Sequence, residues 1–178
     1  MFYAVTLEFD KETQNKIQRL IDEVSEKTGC DYMKRSNIPP HVTVSGLVSD
    51  QEEALLAEME KVAQTISKSP VWFANIGVFN PLVIYLGPVM NEFLQNTCRI
   101  VNERLLQYAD VGNKGRYLPN QWVPHAGIAV KMNPEALKEA FAIVQREFEA
   151  FGATAERIVL ARAEPYVELK SWELKDLA

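Results

Sequence analysis

The stretch Pro39–Gly46, PPHVTVSG, sets the first reading of this chain. Two prolines open it, and then His41, Thr43 and Ser45 alternate with Val42 and Val44. Successive side chains of a strand point to opposite faces. Val42 and Val44 therefore enter a core, and the other three share the opposite face, where a row of hydrogen-bonding groups serves either solvent or a site. The only other histidine, His125, stands in VPHAGIAVK (residues 123–131), again behind a proline and at the head of an alternating strand. With 9 prolines among 178 residues, chance places one before a given histidine about one time in twenty, and before both about once in four hundred.

The elements around the two histidines recur in the same order. Residues 2–9 alternate as a strand, and Asp10 and Gly29 bracket a helix with Ile17, Leu20, Ile21 and Val24 on one face. A polar loop with Lys34 and Arg35 leads to the His41 strand, followed by a helix over 51–67 and a strand over 71–79. The second half repeats this: a strand over 81–89, a helix over 90–109, a polar loop, the His125 strand, a helix over 134–150, then strands near 154–163 and 166–175. Tyr3 lies 38 residues before His41 and Tyr85 lies 40 before His125, a comparable position in each half. The repeated order predicts an α+β fold of two lobes related by a pseudo-two-fold axis, with half-repeats of roughly 1–80 and 81–178 in a single bilobal domain. No Pro/Gly/Ser-rich linker separates them.

Composition narrows the function. Hydrophobic residues make up 47% of the chain and charged ones 24%, enough for a packed core. A net charge of −5 argues against coating long nucleic acid, which calls for excess Lys and Arg, but leaves room for a nucleotide or an RNA end. No apolar run approaches the roughly 20 residues of a spanning helix, so no membrane partner is expected. The start MFYAVTLEFD lacks a basic leader pattern. Cys30 and Cys98 form no CxxC pair and read as reduced thiols, which points to a cytoplasmic protein. Neither histidine has a Cys or carboxylate at ligand spacing, so no metal or other cofactor is expected.

Two histidines suit cleavage of a phosphodiester. One group must take a proton from the nucleophile and another must give one to the leaving oxygen, and an imidazole with a pKa of about 6.5 serves in either role. A hydroxyl two residues on, as Thr43 is after His41, suits a phosphate oxygen whose charge grows in the transition state. HVTV at 41–44 and HAGI at 125–128, in two α+β half-repeats, resemble the paired H-x-T/S-x motifs of the 2H phosphoesterase superfamily, which includes bacterial RNA 2′,5′-ligase-like proteins and 2′,3′-cyclic nucleotide phosphodiesterases.

That resemblance implies two antiparallel sheets facing a central cleft, with helices outside. It also implies His41 and His125 as general acid and base, Thr43 as a phosphate ligand, and metal-free opening of a 2′,3′-cyclic phosphate of a nucleotide or RNA terminus. The second motif departs from the pattern, because Gly127 stands where Thr or Ser is expected. One lost hydrogen bond to a charged group costs about 1.5–3 kcal/mol, or roughly one to two decades in rate. Gly127 thus weakens the enzyme, makes room for a bulkier ligand, leaves Lys131 on the same strand face to supply charge, or marks a binder of nucleotides or RNA ends that does not turn over. Further candidates for the ligand are Ser45, Tyr85, which lines the cleft or packs in the core, and Arg116, Tyr117 and Trp122 in the loop before His125. Trp172 reads as sheet packing.

Overall fold

Strand β1 (Phe2–Phe9) turns directly into helix α1 (Lys11–Thr28) because Asp10 caps it, its Oδ1 accepting the Thr13 N–H at 2.9 Å. Gly29 stops the helix in the left-handed conformation, φ 70°, donating to the Ser25 carbonyl. The computed structural model describes residues 1–79 and 82–176, so the expected junction of the half-repeats at 80–81 lies outside the described residues. The chain continues through a one-turn helix α2 (Tyr32–Arg35), β2 (Val42–Val48), α3 (Glu52–Ala63) and β3 (Ser69–Phe79). The second half runs β4 (Val83–Pro88), α4 (Glu92–Leu105), β5 (Asp110–Val111), a 3₁₀ turn at Asn113–Gly115, β6 (Ala126–Val130), α5 (Pro134–Glu147), β7 (Phe151–Arg162) and β8 (Val167–Glu173). Among the described residues no helix is long and apolar enough to cross a membrane.

All ladders between these strands are antiparallel. The expected pair of sheets is present as two sets, β2-β1-β7-β8 and β6-β4-β3, and hydrogen bonds join them at two seams into one eight-stranded sheet. One seam is β3 against β7. The other is β2 against β6, through the single pair Val42↔Ala126. Phe73 fills the first seam, fully buried, with Phe9 and Phe151 each 5.2 Å away by ring centroid.

Among β1, β2, β3, β4, β6 and β7 the pairing scheme is unchanged when β1 is exchanged with β4, β2 with β6 and β3 with β7, while β5 on β2 and β8 on β7 have no counterparts among the described residues. Helix packing obeys the same exchange: α1 lies on α5 and α4 on α3, while α1 packs against β6 and α4 against β2. Even the irregularities match. The β1–β2 ladder skips Val44 between Val5/Thr6, and the β4–β6 ladder skips Ile128 between Ile84/Tyr85, each three residues after a histidine. The register corrects one sequence equivalence: Tyr85 sits opposite Gly127 as Thr6 sits opposite Thr43, so Thr6, not Tyr3, matches Tyr85.

These two bulges change which side chains face where. An extra residue in one strand breaks the alternation of faces. After Thr43, both Val44 and Ser45 are fully buried, and the next residue, Gly46, faces the ring of Tyr117 instead. Ser45 is therefore not in the cleft, contrary to the sequence expectation. Its hydroxyl donates to Asn102 Oδ1 at 2.9 Å, and Asn102 Nδ2 donates to the carbonyls of Cys98, Val44 and Tyr117 at 2.8, 3.1 and 3.1 Å. One buried amide thus ties α4 to the bulge and to the loop before His125.

Asn102→Ala removes the acceptor of the buried Ser45 hydroxyl and one donor from each of three carbonyls and should cost about 2–4 kcal/mol. A urea midpoint lower by the corresponding amount is expected; an unchanged midpoint would remove Asn102 from this role.

Candidate active site

The two Pro-His dipeptides build the same local device. Proline restricts the residue before it to extended conformations, which fixes the carbonyls of Pro39 and Val123. His41 Nδ1 lies 2.7 Å from the Pro39 carbonyl, and His125 Nδ1 lies 2.7 Å from the Val123 carbonyl. A carbonyl oxygen only accepts, so each Nδ1 carries the hydrogen and each neutral ring keeps its lone pair on Nε2. Both imidazoles line one cleft of about 890 Å³, within the range of small-molecule sites.

The β2–β6 seam sets their relation. Val42 and Ala126 are paired and fully buried. Continuing that antiparallel register by one residue on either side sets Thr43 beside His125 and Gly127 beside His41, on the face opposite the core. All four line the cleft. Each histidine thus has as its cross-strand neighbour the other half's hydroxyl position, which is occupied by threonine in one case and empty in the other.

Other expected residues divide. Arg116 and Tyr117 line the cleft. The Tyr117 ring stacks on His125 at 6.1 Å and 26°, and its phenol lies beside the side chains of Thr43 and Asn113. Trp122 does not line the cleft; it is buried and its Nε1 donates to the Thr43 carbonyl at 3.0 Å, fixing the strand behind the motif. Tyr85 does not line the cleft itself but touches two residues that do: it lies over Gly77, where a Cβ would fall 2.1 Å from its ring, stacks on Phe79 at 4.4 Å, and meets His125 at 5.5 Å.

Lys131 is turned out of the cleft because the bulge at Ile128 ends the alternation that would have carried it there; Val130 lines the cleft in its place. The Lys131 ammonium sits 4.0 Å over the Tyr32 ring and 3.2 Å from Glu164. Lys34 and Arg35 face Asp22, Glu26 and Asp31 and do not line the cleft. Trp172 packs on the sheet as expected, donating to Glu60. The sequence reading missed Tyr32, Phe79, Asn113, Lys114 and Gln121, which all line the cleft. The signal for two of these was Asn-Lys-Gly at 113–115, a turn tripeptide in which Asn113 and Lys114 adopt φ of 50° and 55°.

Burial pushes both imidazoles below their ordinary value, opposed in each by the carbonyl bond, and His125 is pushed further by the positive charge of His41. The second proton on the pair is therefore harder to add than the first. Burial raises the Tyr117 phenol, opposed by the neighbouring Thr43 and Asn113 side chains and the Arg116 charge, so it remains a neutral hydroxyl. The cations lining the cleft are Lys114 and Arg116. Among the described residues no carboxylate lines it, and no group of three or more His, Cys, Asp or Glu is placed to hold a metal ion.

A family model described as the 2'-5' RNA ligase superfamily matches residues 9–165. Among solved structures, apo LigT of E. coli is similar with a TM-score of 0.59 and 12% identity, covering 98% of this chain and 98% of that one. TT0787 of Thermus thermophilus has a TM-score of 0.58 and 15% identity over 100% of both chains. Usb1 of Kluyveromyces marxianus has a TM-score of 0.50 and 15% identity, covering 94% of this chain and 97% of its own. No curated protein matches the chain significantly in sequence. LigT has also been solved with 3'-AMP, with ATP and with NADP+.

Nitrogen-15 NMR should find both neutral imidazoles protonated on Nδ1, with midpoints below about 6.5. A neutral Nε2–H ring would contradict the carbonyl clamp. The unfolded chain takes up protons that the folded imidazoles refuse, so stability falls as the pH drops from about 6.5 through the folded midpoints. In His41→Ala and His125→Ala this loss should be smaller than in the wild type.

Proposed function

The chain belongs to the 2'-5' RNA ligase superfamily, and we propose that it is a phosphodiesterase acting on nucleotide or RNA ends. The finer proposal is metal-independent opening of a 2′,3′-cyclic phosphate with His41 and His125 as the proton-transfer pair. We further read the chain as one bilobal domain of two half-repeats, roughly 1–80 and 81–178, which the exchange symmetry of the strands supports. The observation that carries the function is the pair of identically clamped imidazoles, with lone pairs on Nε2, lining one cleft.

The chemistry follows from one proton on the pair. The neutral imidazole takes a proton from water as its oxygen bonds to phosphorus. The protonated one gives its proton from Nε2 to the ribose oxygen as the P–O bond breaks. Charge repulsion between the rings favours this singly protonated state over the doubly protonated one. Thr43, beside His125, donates to a phosphate oxygen, and Lys114 and Arg116 offset its charge. Paired imidazoles with lone pairs on Nε2 suit acid–base chemistry. The nucleotide complexes of LigT lend support to a nucleotide ligand here. Gly127 favours a second reading, a relative that binds such ends with little turnover, since one hydroxyl beside a histidine is missing.

Phosphorus NMR of 2′,3′-cyclic nucleotides with the protein in EDTA tests both. Conversion to a single monophosphate isomer, lost in His41→Ala and in His125→Ala, is the expected outcome. Binding without conversion would select the second reading, and conversion that survives both variants would overturn the histidine assignment. Because burial lowers both imidazoles, kcat/KM should follow a bell with its maximum below about pH 6.5. A rate that keeps rising above neutrality would contradict the shared-proton scheme.

A further inference from the structure

The two halves differ at more than Gly127. The loop before each histidine crosses to cover the other half's strand: the 3₁₀ turn packs on β2, and α2 packs on β6. Tyr117 stands eight residues before His125, and Met33 stands eight before His41. Tyr117 places its phenol beside Thr43; the matching pair across the cleft is Met33 and Gly127, both lining it. A polar pair in one half is therefore an apolar pair in the other.

The polar side is built to hold a hydroxyl in place. Gly46 lets the Tyr117 ring approach, since a Cβ there would come within 3.0 Å of it. The Tyr117 carbonyl accepts from Asn102 Nδ2, and the Asn113 side chain lies beside the phenol. Lys114 and Arg116 flank these groups in sequence, line the cleft, and make no ion pair among the described residues. At Gly127, by contrast, a Cβ would meet only Val130 Cγ1, at 3.6 Å. That is ordinary contact, so the backbone does not need glycine there for space. Val130 pairs with Val83 across the sheet, and both line the cleft.

We propose that the cleft grips a phosphate from the Thr43 side alone, with the Tyr117 hydroxyl as the second donor, and that the space at Gly127 is an apolar subsite for an aromatic group of the same ligand. The inference rests on the phosphoester reading above. Two neutral hydroxyls and two cations stand on one side, which replaces the expected grip by one hydroxyl from each half. Gly127, Val130, Val83 and Met33 offer no donor from their side chains and suit a flat apolar surface such as a nucleobase.

The test uses the full chain and two probes, inorganic phosphate and adenosine 3′-monophosphate, titrated by NMR or calorimetry against the wild type, Tyr117→Phe and Gly127→Thr. Tyr117→Phe keeps the ring and should weaken both probes about tenfold, one hydrogen bond to a charged group, with an unchanged urea midpoint. Gly127→Thr should weaken adenosine 3′-monophosphate about tenfold while phosphate stays within about twofold, because the side chain fills the base subsite and leaves the grip alone. If Tyr117→Phe binds both probes as the wild type does, the phenol is only packing and the proposal falls. If Gly127→Thr tightens both probes alike, the grip is two-sided and the proposal also falls. A wild type that binds neither probe sinks the phosphoester reading and this one with it, whereas failure confined to the variants sinks this one alone.

Discussion

The site depends on one contact between strands, the pairing of Val42 with Ala126 where β2 meets β6. Both side chains are fully buried, so this backbone pair is pinned by the core beneath it. The residues one step away on either strand must then emerge together on the open face. Two histidines far apart in sequence become neighbours without any long side chain having to reach. Burial of two small apolar groups thus fixes the relation of four cleft residues, two on β2 and β6 and two immediately before them.

The seam is stable because neither half completes its sheet alone. The third strand of each half, β3 or β7, pairs with the first strand of the other, and the first helix of each packs on the second helix of the other. Pulling the halves apart would expose the edges of β1 and β4 along with the Phe73 cluster. Asn102 adds a polar tie at the same level. Its amide bridges α4, the β2 bulge and the loop that carries Tyr117, so the position of the phenol is coupled to the register of the strand bearing His41 and Thr43.

Local features were legible in the sequence and long-range ones were not. Asp10 and Gly29 marked the ends of α1 because capping is a property of a few adjacent residues. The Pro-His dipeptides announced matched positions for the same reason. Ser45 and Lys131 were misplaced because period-two reading assumes an unbroken ladder, and the bulges at Val44 and Ile128 depend on partner strands many residues away. Trp122 carried the aromatic signal of a ligand platform, but its indole was taken up by the Thr43 carbonyl. Tyr85 was legible only as an aromatic on a strand; its place against His125 depends on the room left by Gly77 on a neighbouring strand. Lys114 went unremarked because its left-handed backbone, which the turn requires, is what brings it to the cleft.

A duplicated scaffold meets a particular difficulty in the proposed reaction. Opening a phosphodiester needs unlike partners, one imidazole bare and one protonated, whereas the Pro-His clamps make the two alike. Electrostatics alone supplies part of the difference. In a desolvated cleft the first proton raises the cost of the second, so two equal rings settle into unequal charge states. The choice of which ring holds the proton then falls to their neighbours. His125 has the Thr43 hydroxyl, the stacked Tyr117 ring, and Phe79 and Tyr85 against it, while His41 faces the bare backbone of Gly127. A bound phosphate favours the charged form of the ring it lies nearer. On the scheme proposed here, the departures from symmetry at 127 and 33 therefore orient the ligand, and the oriented ligand breaks the tie between two otherwise equivalent histidines.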